Sequence, residues 1–193
     1  MDAQRTPHLT PEEYLAIERQ SEIRSEYLDG EMFAMSGSSR RHNLIVTNMV
    51  RELSSRLRTR PCEVYSNDMR VHIPATGLYT YPDVVVACGE PRLEDGHFDT
   101  LLNPILVVEV LSPATEAYDR GKKFEHYRTI DSLSEYVLVA QDEPRVEHYL
   151  RQEDNRWLLT AVAGLEASLA LPCIQCELSL AEIYHKVELS QGA

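Results

Sequence analysis

The sequence predicts an α/β protein in which helices flank a mixed β-sheet, and two kinds of pattern carry that prediction. Near-continuous runs of Val, Ile and Leu at 84–87 and 105–111 are typical of central strands covered on both faces. Between residues 41 and 58 the apolar residues recur at steps of three and four, as on one face of an amphipathic helix. Because helical and strand patterns alternate along the chain, we expect a layered sheet with helices packed against it.

Length and composition agree with one domain spanning residues 1–193. The chain has 19 Lys and Arg against 31 Asp and Glu, a net charge of −12, and 43% of its residues are hydrophobic. No apolar run approaches the ~18–20 residues of a membrane span, and the first residues lack the charged-then-apolar order of a secretory signal. We therefore expect a cytoplasmic protein, and we exclude a membrane protein, a disulfide-rich miniprotein, a disordered tail and a collagen-like chain.

Turn and cap signals define the elements of the first half. A capping box at Thr10–Glu13, with Pro at the first helical position, predicts a short helix to about residue 20. Asp29-Gly30 is a two-residue hairpin turn between predicted strands 26–28 and 31–35. After the amphipathic helix we predict strands at 62–66, 69–74, 81–88 and 105–111, with a long surface loop at 89–104. The first two of these strands are either separate or one long bent strand.

The second half continues the alternation. Residues 119–130 have a helical pattern, and the run EYVLVA at 135–140 is typical of a buried strand. Residues 145–151 and 157–163 predict a more exposed hairpin. A second capping box begins a last helix at 179–187.

Basic residues are concentrated in one segment of this acidic chain. Residues 37–60 hold six arginines against one glutamate. Phosphate contacts are made by clustered Lys and Arg, so this segment is the expected surface for nucleic acid. The candidate binding residues are Arg40, Arg41 and Arg51 here, and Lys122 further along the chain.

Four cysteines are present, and a cytoplasmic chain is expected to keep them reduced. Cys173 and Cys176 have the spacing of half a zinc site. No second closely spaced pair follows, so the alternative of two small, half-buried thiols also stands.

Two carboxylates lie within otherwise apolar strand patterns. Asp83 opens a strand that continues as VVVA, and Glu109 lies inside ILVVEVL. A carboxylate at a central-strand position is costly unless it is paired or bound to a metal. Converging from neighbouring strands, the two would suit Mg²⁺ or Mn²⁺, which prefer hard oxygen donors. The alternative is that each acid is a strand-end charge, solvated or paired with an arginine.

A basic cluster follows at the start of the next helix. Arg120, Lys122 and Lys123 oppose the helix dipole there unless an anion lies close by. Lys123 precedes the inward-facing Phe124, so its stem can lie along the edge of the core. A solvated lysine face is the alternative interpretation.

As a set, these motifs are similar to the Uma-type endonuclease family, a former domain of unknown function within the PD-(D/E)XK nuclease superfamily. The matching segments cover about residues 8–187. They are SEYLDGE (25–31), YPDVVV (81–86), LVVEVLSP (106–113), YDRGKKFEHYR (118–128) and SEYVLV (134–139). The resemblance implies a restriction-endonuclease-like core of a helix, three strands, a helix and a strand.

The resemblance also implies roles for individual residues. Asp83 and Glu109 would ligate a divalent metal, with help from the Val110 carbonyl. The superfamily lysine is expected two residues after the second acid, where this chain has Leu111. Related families move that lysine to the following helix, and Lys123 is the best match. Glu26 or Glu31 is an accessory candidate near the metal, with a salt bridge within the hairpin as the alternative. His42 is a candidate for contact with a phosphate, with a hydrogen bond at the helix terminus as the alternative.

The predicted function is metal-assisted hydrolysis of phosphodiester bonds in nucleic acid, with DNA the expected substrate and a homodimer the expected assembly. One alternative is a nucleic-acid-binding or regulatory module that has kept the fold and lost activity, consistent with the acidity and with Leu111. The other is a metal-dependent hydrolase of a small phosphoester.

Overall fold

A computed structural model describes residues 8–189, so the expectation about the first residues of the chain lies outside the described residues. The helices are α1 (Pro11–Glu18), α2 (Arg40–Leu57), α3 (Glu116–Tyr118), α4 (Phe124–Tyr127) and α5 (Leu180–Ile183). The first strands are β1 (Ser25–Leu28), β2 (Glu31–Ala34), β3 (Cys62–Ser66), β4 (Arg70–Ile73), β5 (Leu78–Thr80) and β6 (Val84–Cys88). The others are β7 (Thr100–Leu101), β8 (Leu106–Val110), β9 (Glu135–Val139), β10 (Arg145–Arg151), β11 (Trp157–Ala163), β12 (Ser168–Leu171) and β13 (Cys176–Ser179).

A six-stranded mixed sheet forms the centre of the fold, in the order β11-β10-β9-β8-β6-β3. Its β8–β9 pair is parallel, and its other pairs are antiparallel. Strands β8 and β9 are buried along their whole length. Helices α2 and α5 and the β12–β13 hairpin share a core with one face, while α4 and residues of the second sheet share a core with the other. The predicted α/β class, a mixed sheet flanked by helices, is confirmed.

The structure has a second sheet, with strands in the order β2-β1-β5-β4-β7. Strands β3 and β4 lie in different sheets, so 62–66 and 69–74 are not one bent strand. The segment 89–104, predicted as a surface loop, contains β7, which pairs in parallel with β4. The buried Thr100 and Leu101 hold it against the core.

The helix predicted at 119–130 begins earlier and is irregular. Helix α3 leads into a π-helical turn at Asp119–Lys123, and α4 follows. A π turn carries more residues than an α turn and is frequent at functional sites. Asp119 and Lys123 are both buried, and they contribute to the site described below.

The prediction that all four cysteines are reduced is wrong, because Cys62 and Cys88 form a disulfide. The two residues face each other across the antiparallel β3–β6 pair, with Cα atoms 4.0 Å apart. Cys173 and Cys176 are free and half-buried, as the thiol interpretation expects. No helix among residues 8–189 is long and apolar enough to cross a membrane.

Candidate active site

The strand register brings Asp83 and Glu109 together. Strands β6 and β8 pair with Val84 opposite Val108, so Asp83 lies beside Glu109 at the end of β6. The Asp83 amide nitrogen is 3.4 Å from Glu109 Oε2. Asp83 Oδ2 accepts a hydrogen bond of 2.7 Å from the Val110 amide. The two carboxylates therefore share one end of the sheet.

Lys123 reaches this point from the π-helical turn. Its Nζ lies 3.1 Å from Glu109 Oε1, 3.0 Å from Glu26 Oε1 and 3.7 Å from Asp119 Oδ1. The lysine is buried, with 6% of its surface exposed. The amine from the helix after β8 therefore contacts the strand-borne glutamate, although Leu111 occupies the expected lysine position.

Neighbouring polar groups fix the orientation of these side chains. The Tyr127 hydroxyl donates a 2.9 Å hydrogen bond to Glu109 Oε1, the oxygen that also contacts Lys123. His42 Nε2 lies 3.1 Å from Asp83 Oδ2. The Thr80 hydroxyl donates to Glu26. Tyr127 and Lys123 thus occupy one Glu109 oxygen, and the other faces Asp83.

His42 is held in place by the start of helix α2. Ser39 caps this helix, and its hydroxyl accepts a 3.1 Å hydrogen bond from the His42 amide. The imidazole therefore projects from the first turn toward the end of β6. There it contacts Asp83, and this contact positions the Asp83 carboxylate.

The site carries an excess of negative charge. Its cavity of about 470 Å³ is lined by one ammonium, Lys123, and four carboxylates, which belong to Glu26, Asp83, Glu109 and Asp119. Burial is the largest cause that raises the pKa of Glu109, to about 8; Lys123 opposes the rise, and Asp119 and Asp83 contribute to it. Burial lowers the pKa of Lys123, but the surrounding carboxylates outweigh this effect and hold it well above the ordinary value. Lys123 stays charged, and an additional cation would relieve the remaining repulsion.

The other predicted residues lie at different places. Val110 lines the cavity, and Glu31 is exposed on β2 and does not line it. Arg40 and Arg41 line a second cavity next to the first. Two further candidates line neither cavity: Arg51, which pairs with Glu52 and Glu182, and the exposed Lys122.

Two residues of this cluster were not predicted from the sequence as members of the site. Asp119 lies four residues before Lys123, and its acidic side chain on a helical segment was a signal that could have suggested it. Tyr127 fitted the apolar face of the predicted helix, so nothing in the pattern distinguished its hydroxyl as a partner of Glu109.

Comparisons with known proteins agree with this architecture. A crystal structure of a "putative nuclease belonging to DUF820" from Anabaena variabilis is similar, with a TM-score of 0.74 and 20% sequence identity. The alignment covers 91% of this chain and 97% of that one. The restriction-endonuclease-like fold expected from the sequence is therefore confirmed.

Sequence relatives lead to the same family. Two uncharacterised proteins of Synechocystis are 40% identical over 164 residues and 39% identical over 153 residues. These alignments cover 85% and 79% of this chain, and 93% and 80% of the relatives. A family model described as "Uma2: Putative restriction endonuclease" matches residues 11–182. Because that match spans most of the chain, the protein belongs to the Uma2 family.

Proposed function

We propose that the protein is a metal-dependent nuclease that hydrolyses phosphodiester bonds of nucleic acid, with DNA as its substrate. The observation that carries the proposal is the convergence of Asp83, Glu109 and Lys123 in one acidic cavity. The family and the fold support a nuclease as the class of enzyme.

The donor set fits a hard divalent cation. Within residues 8–189, no three His, Cys, Asp or Glu side chains already form a metal-holding group. Mg²⁺, however, is usually held by one or two carboxylates together with water and substrate phosphate oxygens. Asp83 and Glu109, with the Val110 carbonyl, would hold it, and the surplus negative charge of the cavity favours a cation. Once bound, Mg²⁺ or Mn²⁺ would polarise the scissile phosphate and make water more acidic.

Three side chains of the protein have separate roles in the proposed reaction. Lys123 holds a permanent positive charge beside Glu109, where it stabilises negative charge that develops on the phosphate. Tyr127 fixes the Glu109 carboxylate, and His42 fixes Asp83. The geometry is thus set before substrate arrives, because each acid is bonded to a buried neighbour.

The test is cleavage of plasmid and single-stranded DNA with Mg²⁺ or Mn²⁺ by Asp83→Asn and Glu109→Gln. We expect each variant to lose at least about 1,000-fold in rate, since both remove charge from the reacting centre. Asp131→Asn, at an exposed position away from the cavity, is the matched control and keeps full activity. Cleavage by both site variants at the wild-type rate rules the proposal out.

Lys123→Met tests the lysine separately, with the exposed Lys186→Met as its control. We expect Lys123→Met to lower the rate while metal binding, measured by calorimetry, is retained. An unchanged rate removes Lys123 from the mechanism.

One observation favours a second candidate, a nucleic-acid-binding module without activity. Lys123 is in contact with three carboxylates, and the expected lysine position holds the buried Leu111. DNA binding without cleavage, and without affinity for Mg²⁺ or Mn²⁺ at millimolar concentration, supports this candidate over the nuclease.

A further inference from the structure

A second and larger cavity, of about 780 Å³, lies directly beside the candidate active site. The two cavities share part of their lining: Ser39, Ser112, Pro113 and Gln141. At this boundary the Ser39 hydroxyl hydrogen-bonds to Gln141, which in turn donates a 2.6 Å hydrogen bond to the Leu111 carbonyl. A polymer whose backbone crosses the first cavity therefore has a continuous path into the second.

Two arginines in this second cavity are held by one buried carboxylate. Glu147, on β10, is 7% exposed. Arg145 Nη2 lies 2.9 Å from Glu147 Oε1, and Arg120 Nη1 binds Glu147 Oε2. Arg145 comes from the same strand, whereas Arg120 comes from the π-helical turn that also carries Lys123. The active-site helix and the sheet therefore position one guanidinium pair together.

The remaining acidic groups of the cavity are of a different kind. Glu116, Asp142, Glu143 and Glu188 are all exposed, whereas Glu147 is buried. Arg120 also pairs with Glu116, and Arg145 with Glu143 at 3.5 Å. Exposed ion pairs contribute little free energy, so an incoming anion can displace these outer carboxylates. Glu147 would keep the two arginines in place when that happens.

We propose that Arg120 and Arg145, held by Glu147, form a binding site for a backbone phosphate of the nucleic acid, next to the phosphate that is cleaved. This inference rests on the proposed function. Guanidinium groups match phosphate oxygens with paired, charge-assisted hydrogen bonds. Arg40 and Arg41, at the start of α2, line the same cavity, where Arg40 pairs with the exposed Glu188 at 3.1 Å.

The first experiment measures binding of a fluorescein-labelled DNA oligonucleotide, single-stranded and duplex, in EDTA so that no cleavage occurs. We expect Arg120→Gln and Arg145→Gln each to weaken binding about tenfold, because a charge-assisted contact is lost. Each should also lower the slope of log affinity against log salt by about 0.7–0.9, the value for one phosphate contact. Glutamine can still donate to Glu147, which limits damage to the fold.

Arg128→Gln is the matched control, since Arg128 is an exposed arginine just after α4 that lines neither cavity. We expect its affinity and salt slope to equal those of the wild type. An equal loss in all three variants means that general charge attracts the DNA, and it overturns the proposal. So does wild-type affinity in Arg120→Gln and Arg145→Gln.

The second experiment removes charge from the DNA as well as from the protein. A neutral methylphosphonate is moved along the DNA strand one position at a time, and wild-type affinity is measured at each position. We expect one or two positions to weaken binding, and the same positions to have no effect in Arg145→Gln. A uniform response along the strand in both proteins overturns the site. If DNA binding depends on the two arginines but the protein does not cleave DNA with Mg²⁺ or Mn²⁺, the phosphate site is supported and the nuclease function is contradicted.

Discussion

Two charged clusters in this molecule differ in their balance of charge. In the candidate active site, four carboxylates line a cavity with one ammonium, that of Lys123. Beside the second sheet, Arg19 and Arg70 meet Asp95 and Asp99, two charges of each sign. Arg70 is 2% exposed and also donates to Thr100 and to the Tyr81 hydroxyl.

This difference in charge balance indicates that one cluster stabilises the fold and that the other can bind a ligand. The balanced cluster joins α1, β4 and the residues before β7, so each charge has a fixed partner and no ligand is needed. The acidic cluster keeps a surplus of like charge at the end of a buried sheet, an arrangement that costs stability unless a cation binds. Four measurements test this contrast.

The largest expected effect on stability is that of Arg70→Met. It removes a buried guanidinium and leaves its polar partners unpaired, so we expect the free energy of unfolding to fall by about 3 kcal/mol. Arg24→Met is the control, because Arg24 pairs with Asp68 at the surface and should cost less than about 1 kcal/mol. Denaturant unfolding measures both, and equal losses would mean that the balanced cluster contributes no special stability.

Added Mg²⁺ or Mn²⁺ should give the next largest effect. At a concentration 100 times the dissociation constant, a bound ion stabilises the folded state by about 2.7 kcal/mol. We expect the wild type to show this gain in thermal unfolding and Glu109→Gln to lose it. Asp99→Asn should keep the gain, and an equal response in Glu109→Gln would place the ion elsewhere.

Glu109→Gln and Asp99→Asn should change metal-free stability in opposite directions. Glutamine keeps the shape of Glu109 and cannot ionise. At pH 9, above the Glu109 pKa of about 8, it removes a buried like charge, so we expect unfolding to require about 1 kcal/mol more there. Asp99→Asn removes a partner of Arg19 and Arg70, so we expect a loss of similar size. A loss in both variants would show that the active-site cluster is as well paired as the other.

The smallest expected effect is a dependence on pH. The Arg19 guanidinium lowers the pKa of Asp99 well below its ordinary value. A lowered folded-state pKa stabilises the protein above the unfolded-state value of about 3.9, and this stabilisation is lost as the pH falls toward the folded-state pKa. The difference in Tm between wild type and Asp99→Asn should therefore shrink between pH 7 and pH 3. A difference that stays constant would assign the effect to packing.

Periodicity in the sequence predicted most elements because those elements depend on local patterns. The hairpin strands 145–151 and 157–163 have the predicted bounds, since the polar residues 152–156 mark the turn between them. The last helix ends at Ile183, about a turn earlier than predicted. The β12–β13 hairpin was missed because Pro172 and the cysteines around it indicated only a turn.

Features that depend on distant partners could not be predicted in this way. The assignment of β3 and β4 to different sheets follows from long-range pairing, which no local pattern contains. The disulfide depends on the β3–β6 register, which brings together cysteines 26 residues apart. Asp83, Glu109 and Lys123 were identified because charges in apolar runs are conspicuous, whereas Tyr127 has a polar atom hidden on an otherwise apolar surface.

The π-helical turn makes the spacing of this segment as important as its composition. Within five residues it directs Lys123 and Asp119 to one cavity and Arg120 to the other. Removing Gly121 would return this turn to α-helical geometry, because a π turn holds about one residue more than an α turn. Asp119 and Lys123 would then be three residues apart instead of four, and the distances from the Lys123 amine to Asp119 and Glu109 would change although no side chain at the site had been exchanged. A deletion therefore tests the spacing of this segment separately from the chemistry of its side chains.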